Sequence, residues 1–441
     1  MVHTFEVDGV YYLFDVESSA LHVCDELTTQ VIRKMQGQPY FLEGADPEAV
    51  VEIEADIKEL TENGLLFAPR TLAKPIKSEH LKALCLHICH DCNMRCAYCF
   101  ASEGTYKGER QFMSFEVAKA AIDFLIANSG SRQILETDFF GGEPLMNLDV
   151  VKQTVAYARE QGEKHGKIFL FTLTTNGVLL NEETAKWLNE EMENVVMSLD
   201  GRKEVNDEIR KTVNGKGSFD VIINNFKRFV EMRGDKSYYI RGTFTNKNLD
   251  FGKDIEFIAD QGFKEISVEP VVLPKGHPLA IPDEALPAIR EEYRRLSKEY
   301  LKRKREGRGF IFFHFVIDIE GGPCLSKRVN ACGAGNEYLS VTPKGDLYPC
   351  HQFSDNPDFY MGNVFEGKIN EKVRSIFKNS SLFTREGCDE CFARYHCSGG
   401  CAANNYNFNG DVNKPYEPTC EMMRARLECA LHILSEEKKG S

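Results

Sequence analysis

Four cysteines fall within eleven positions of the stretch CHDCNMRCAYCF, residues 89–100, in a chain that holds fifteen. Five lie between Cys85 and Cys99, nine between Cys324 and Cys429, and Cys24 stands alone. A disulfide scaffold spreads its cysteines through a short chain that lacks a core. Here 441 residues at 42% hydrophobic content leave ample apolar material for large cores, so two dense clusters point to bound metal. The sequence opens with no basic start and apolar run, and no eighteen uncharged apolar residues follow one another. Neither a signal peptide nor a membrane span is therefore expected, and the reading is a cytoplasmic protein. The net charge of −13 argues against nucleic acid, whose phosphates call for a basic face.

Residues 1–70 hold 14 Asp and Glu against 4 Lys and Arg. That excess suits either a solvated acidic surface or a docking surface for a partner of basic character. Residues 1–75 read as a small unit. TFEVDGVYYLFDVES gives two strands turning at Asp8-Gly9, and ALHVCDELTTQVIRKMQ and DPEAVVEIEADIKELTENG give helices, the second ending at Gly64. LLFAPR is a candidate third strand, and the whole suits a winged-helix fold.

After a basic linker over residues 72–82, residues 84–310 alternate strand and helix. ALCLHI, ILETDFFG, IFLFTLTTNG, NVVMSLDG, YYIRGTFT and EISVEPVV read as the strands. The succession predicts an α/β fold with a parallel sheet, a barrel or part of one, whose active site lies at the strand C-termini. Residues 283–309 read as one long charged helix with a solvated face. Residues 320–441 read as a loop-rich region held by metal more than by an apolar core.

Cys92, Cys96 and Cys99 follow the first barrel strand with three and two residues between them. A structural zinc site takes four ligands, commonly as paired knuckles, and a two-cluster ferredoxin uses a tighter run of four cysteines. Three thiolates suit a [4Fe–4S] cube whose fourth iron stays open to a small chelator. Cys85 and Cys89, beside Leu84, Leu86 and Ile88, read as core thiols; Cys24 and Cys429, in helical patterns, read the same way. His87 and His90 read as packed or capped. The next strand ends in FFGGEPL, where Gly141 and Gly142 permit close backbone approach to a ligand and Glu143 can hold an ammonium group. Later strands end in TTNG (174–177) and SLDG (198–201), with Arg210 downstream.

Together these motifs resemble the radical S-adenosylmethionine (SAM) superfamily. The resemblance implies a partial (β/α)6 TIM-type barrel and a [4Fe–4S] cluster on Cys92, Cys96 and Cys99. SAM would bind the fourth iron and be cleaved by one electron to methionine and a 5′-deoxyadenosyl radical. Tyr98 would lie near the adenine, Glu143 would bind the methionyl amine, and Ser198 and Arg210 would reach ribose and carboxylate, with Asn176 a further candidate. A turn or cap at a strand end is the plainer role for each polar residue.

In the C-terminal group, Cys332, Gly345 and Cys350 precede Cys388, Cys391, Cys397, Cys401 and Cys420. These spacings resemble the seven-cysteine SPASM extension of radical SAM peptide maturases, with two zinc sites as the competing reading. The resemblance implies two auxiliary [4Fe–4S] clusters, three clusters in all. One would take Cys332, Cys350 and Cys401, the other Cys388, Cys391, Cys397 and Cys420. Cys324 either supplies the fourth ligand of the first or leaves an iron open to a substrate thiolate.

The N-terminal unit resembles a winged-helix element that binds leader peptides as an added strand. Sulfatase-maturing relatives carry Asp after the "PC" cysteine, where this chain has His351. The domain order, 1–75, 84–310 and 320–441, looks closest to thioether-forming maturases of cysteine-rich peptides of the SCIFF type. That implies a link from Cys sulfur to an acceptor carbon, Thr in the family's usual case, in a cysteine-rich precursor peptide bound through its leader. Flavodoxin or ferredoxin would donate electrons; no membrane or nucleic-acid partner is expected. His351 and Glu269 are the candidates for the general base. Carbon–carbon crosslinking, decarboxylation, formylglycine formation and a non-catalytic zinc scaffold are the alternatives.

Overall fold

A computed structural model of the chain describes residues 1–70, 78–319, 329–354 and 356–439. At the N-terminus, strands Val2–Val7, Val10–Asp15 and Leu21–Cys24 form an antiparallel sheet in that order. The first two turn at Asp8 and Gly9, both left-handed at φ 59° and 76°, as a two-residue turn of this hand demands. The third strand is a correction. Leu21–Cys24 pairs with Tyr11–Phe14, so Cys24 ends a strand and is half-buried, not a helical core thiol. The helix Glu26–Met35 starts only after Asp25, whose carboxylate accepts the Thr28 N–H at 2.7 Å and so ends the strand.

LLFAPR forms no strand. The helix Pro47–Glu62 closes at Gly64, φ 70°, and the amides of Leu65 and Leu66 both donate back to the Leu60 carbonyl. Those backward bonds turn Leu66 into the unit's own core, with Val2, Leu13, Val31, Ile32 and Ile57. The sheet's other face, Phe5, Val7, Tyr12, Phe14 and Val16, packs on Leu382, Phe392, Tyr395, Leu427 and Leu431 of the C-terminal region.

The six predicted barrel strands are all present, as Ala83–His90, Ile134–Gly141, Ile168–Thr175, Asn194–Ser198, Tyr238–Phe244 and Glu265–Pro270, each parallel to its neighbour. Helices between them cover the outer face, giving a partial (β/α)6 TIM-type barrel. Ile311–Phe312 extends one edge. At the other edge Tyr338–Val341, from the cysteine-rich region, lies parallel to Ala83–His90. Ala83–His90 is therefore central and buried at every position, which puts Cys85 and Cys89 in the interior as read.

The charged helix, Leu286–Arg305, is not simply solvated. It packs along the final helix, Glu417–Lys439, and its basic end pairs Arg303 with Asp260 at 2.6 Å and Arg305 with Glu436 at 3.2 Å. No helix among the described residues is long and apolar enough to cross a membrane.

Candidate active site

The loop after Ala83–His90 carries the first cysteines and is pinned from two sides. Met94–Cys96 pairs antiparallel with Arg210–Thr212, which sets Cys96 opposite Arg210. The end of Ile134–Gly141 holds the other side: Gly142 N–H donates to Cys89 O and Glu143 N–H to Asp91 O, at 2.9 and 3.0 Å. The Cys89 thiol donates to Glu143 O at 3.1 Å, a structural tie in keeping with its interior position. The two glycines are needed for this contact. A Cβ on Gly142 would lie 1.8 Å from Asp91 O, and one on Gly141 2.4 Å from Cys89 O. Both glycines thus approach the cysteine loop's own backbone closely, and both also line the cavity.

Cys92, Cys96, Cys99, Tyr98, Gly141, Gly142, Glu143, Asn176, Ser198 and Arg210 all line one cavity at the barrel mouth, with about 670 Å³ of atom-free space. Burial pushes the Cys92 thiol up to about 12 and raises that of Cys96, so these are not nucleophiles activated by their setting. Taking thiolate form there calls for a cation bound directly to sulfur. Arg210 is buried and lines the cavity, and its Nε, itself buried, has no hydrogen-bond partner. Three convergent thiols, a buried carboxylate and an unanswered guanidinium N–H fit a thiolate-ligated iron–sulfur cluster beside an amino-acid-bearing ligand.

Glu143 is fully enclosed. Its carboxylate accepts from Asn176 N–H at 2.7 Å, Thr175 Oγ at 2.8 Å and Leu145 N–H at 3.1 Å. Burial outweighs these bonds and pushes the carboxyl up to about 7, so below that pH it is mostly protonated. An ammonium ligand requires the ionised form, whose fraction falls roughly tenfold from pH 8 to pH 6 at such a pKa. SAM is therefore expected to bind reconstituted protein about tenfold more weakly at pH 6 than at pH 8. Glu143→Gln should weaken binding at pH 8 and flatten the dependence; anaerobic calorimetry at both pH values checks this.

The Tyr98 hydroxyl donates to the Asp200 carboxylate at 2.8–2.9 Å and accepts from Arg210 Nη1 at 2.9 Å. Asp200 also accepts Thr243 N–H at 3.0 Å. Asp200 thus orients both Tyr98 and Arg210, and sequence reasoning passed over it; the signal was the Asp of SLDG. Asn176 Nδ2 donates to Asn93 Oδ1 at 2.7 Å, holding the residue next to Cys92. Ser198 ends its strand at the cavity wall.

The two candidate bases fall outside this cavity. Glu269 accepts Arg426 Nη1 at 3.0 Å and lies 3.3 Å from His314 Nε2. Despite burial, Arg426, His314 and Arg241 hold its carboxyl down to about 2, so it is a paired anion and a poor proton acceptor, a correction to that reading. His351 stacks on Phe140, ring centroids 5.0 Å apart, and lies tilted at 47° against Phe100 at 5.3 Å; Phe140 and Phe100 both line the cavity. Burial keeps its imidazole neutral, at about 4, and its Nδ1 has no partner.

Cys388, Cys391, Cys397 and Cys420 line a second cavity with about 500 Å³ of atom-free space. Cys332, Cys350 and Cys401 are electrostatic neighbours of one another beside it. Cys324 lies outside the described residues. Among those described, no three His, Cys, Asp or Glu side chains form a group that could hold a single metal ion; the thiols stand around open volumes.

Residues 86–258 match the radical SAM superfamily and residues 332–398 match SPASM, an iron–sulfur cluster-binding domain. A cysteine-type anaerobic sulfatase-maturating enzyme of Clostridium novyi is 27% identical over 343 residues, 73% of this chain and 88% of the relative. An uncharacterized protein of Methanocaldococcus jannaschii is 30% identical over 220 residues, 49% of this chain and 71% of the relative. Among solved structures, native anSMEcpe with bound AdoMet has the same fold at TM-score 0.66 and 19% identity, covering 80% of this chain and 98% of that one. SuiB of Streptococcus suis, solved with precursor peptide SuiA, aligns at TM-score 0.53 and 16% identity over 94% of this chain and 97% of its own.

Proposed function

Because the chain belongs to the radical SAM superfamily and carries a SPASM iron–sulfur cluster-binding domain, we propose that it is a peptide maturase that installs thioether links. Its substrate on this reading is a ribosomally made, cysteine-rich precursor peptide, with Thr as the acceptor residue. The observation that carries the reading is the contact between the two cysteine regions. Phe100 and Phe140 line the first cavity and both contact His351, Phe140 by stacking and Phe100 at a tilt; His351 is the residue next to Cys350 of the C-terminal set. A peptide threaded there would present one residue to the barrel cavity and a neighbouring thiol to the C-terminal lobe.

On this reading Cys92, Cys96 and Cys99 would hold a [4Fe–4S] cluster that, with SAM, would supply a 5′-deoxyadenosyl radical, and the C-terminal cysteines would hold two auxiliary clusters. The Glu143 carboxylate would hold the methionyl ammonium and Arg210 its carboxylate, and Asp200 fixes the Tyr98 hydroxyl beside them. His351, next to Cys350 and with an unpartnered, buried Nδ1, is this reading's candidate to take the thiol proton. Overall, R–SH, an acceptor C–H and SAM give the C–S bond, 5′-deoxyadenosine, methionine and H⁺. The electron that cleaves SAM returns when the C–S bond forms, to a carrier such as ferredoxin or flavodoxin.

The N-terminal unit is the reading's peptide-binding part. Its edge strand Leu21–Cys24 lies beside a groove lined by Ser18, Leu21, Leu65 and Ser435, where an extended leader could add as a fourth strand. Alternate residues of an edge strand aim their N–H outward, so proline at either His22 or Val23 removes an outward donor. One of the two variants should weaken peptide binding at least tenfold and leave SAM cleavage without peptide unchanged.

The functional test is intact mass of a cysteine-rich peptide after anaerobic incubation with reconstituted enzyme, SAM and reductant, followed by thiol alkylation. Loss of two hydrogens per event, each with one thiol protected, supports the thioether. Loss of two hydrogens with every thiol free points to a carbon–carbon link.

A further inference from the structure

Several buried or half-buried arginines lie near the C-terminal cysteines, and their partners set one apart. Arg394 pairs with Glu17, Arg424 with Glu417 and Glu421, and Arg426 with Glu269. Arg385 is 6% exposed, and no carboxylate among the described residues bonds to it. Its Nε donates to Ser380 Oγ at 3.1 Å, and its Nη1 to Gly400 O at 2.8 Å and Ser398 O at 3.3 Å. All three acceptors are neutral.

The carbonyls it grips have a particular position. Ser398–Gly400 is the turn joining Cys397, in the four-thiol set, to Cys401, in the other set. Gly399, at φ 85°, lies directly on the side chain: a Cβ there would come within 2.6 Å of Arg385 Cδ. The electrostatic neighbours of the guanidinium are thiols of both groups, Cys388 and Cys397 of the four-thiol set and Cys332 and Cys401 of the other. An ion withdrawn from water without a counter-charge is strongly unfavourable, so this position implies an anion that the side chains, as neutral thiols, do not provide.

We propose that Arg385 is the shared counter-charge of the two auxiliary clusters, a positioning residue that raises the reduction potentials of both. The proposal rests on the assignment of clusters to these cysteines. Charge and hydrogen bonding around a thiolate-ligated cluster set its potential. An added electron makes such a cluster more negative, so a fixed cation stabilises the reduced form more than the oxidised one. One guanidinium between two clusters acts on both at once.

The test uses full-length protein bearing Cys92→Ala, Cys96→Ala and Cys99→Ala, so that the auxiliary clusters alone report, reconstituted and titrated with dithionite under EPR. Arg385→Gln should move both midpoints to lower potential by at least about tenfold in the equilibrium constant, ~59 mV for a one-electron couple. Arg385→Lys, which keeps the charge, should stay close to the parent. Loss of iron in Arg385→Gln with retention in Arg385→Lys supports the same conclusion. Unmoved midpoints in a fully loaded Arg385→Gln protein overturn it. Equal iron loss in both variants also overturns it, since shape and not charge would then be what matters. A parent protein that binds no auxiliary clusters would remove the assignment itself, before any Arg385 variant is made.

Discussion

Replacing Cys92, Cys96 and Cys99 together by alanine is expected to abolish SAM cleavage and leave the C-terminal clusters assembled. The three thiols line a cavity of their own, separate from the one lined by Cys388, Cys391, Cys397 and Cys420, so neither set completes the other. Iron should fall from about 12 to about 8 atoms per chain, the loss of one four-iron cluster. 5′-Deoxyadenosine formation should drop to background. The fold should survive, because the loop is anchored by backbone bonds to Gly142, Glu143 and Ile209 and not by the thiols. A triple variant that still makes 5′-deoxyadenosine would mean that the cleaving cluster lies elsewhere.

The second large effect concerns how the N-terminal unit is held. Glu17 and Arg394 form an ion pair with side chains 4% and 1% exposed, and Glu17 also accepts the Tyr395 hydroxyl at 3.0 Å. Arg394 lines the second thiol cavity, so this pair joins the small unit to the cysteine lobe. Glu17→Ala leaves a buried guanidinium unanswered and is expected to cost about 3–5 kcal/mol. Adding Arg394→Met removes the stranded charge and should recover much of that loss. Arg70→Ala, which breaks the more exposed contacts with Glu17 and Asp389, should cost no more than ~1 kcal/mol. Anaerobic denaturation followed by circular dichroism ranks the three. A Glu17→Ala protein as stable as the parent would show that the interface does not depend on the pair.

The barrel was legible because its strands repeat one signal, an apolar run ending in a turn motif, and the candidate cofactor residues fall at those ends. The cysteine spacings were legible for a similar reason: ligands to one cluster must lie close, and loops keep that closeness local. What escaped was set by contacts distant in sequence. Asp200 gains its role from Tyr98 and Arg210, which a linear reading does not connect to it. Glu269 read as a free base at a strand end, whereas Arg426, 157 residues away, holds it as an anion. Leu21–Cys24 read as helix because the residues after Asp25 do form one, and four residues carry little periodicity against that. The strand exists because Tyr11–Phe14 pairs with it.

The most direct test of the central claim follows hydrogen from peptide to SAM. A cysteine-rich precursor peptide with threonines deuterated at carbon is incubated anaerobically with reconstituted enzyme, SAM and reductant, and the 5′-deoxyadenosine is analysed by mass. One deuterium in 5′-deoxyadenosine for each thiol lost to alkylation is the predicted result. Thiols lost without deuterium transfer would contradict Thr as the acceptor, and deuterium-free 5′-deoxyadenosine with every thiol still free would contradict thioether formation on that peptide.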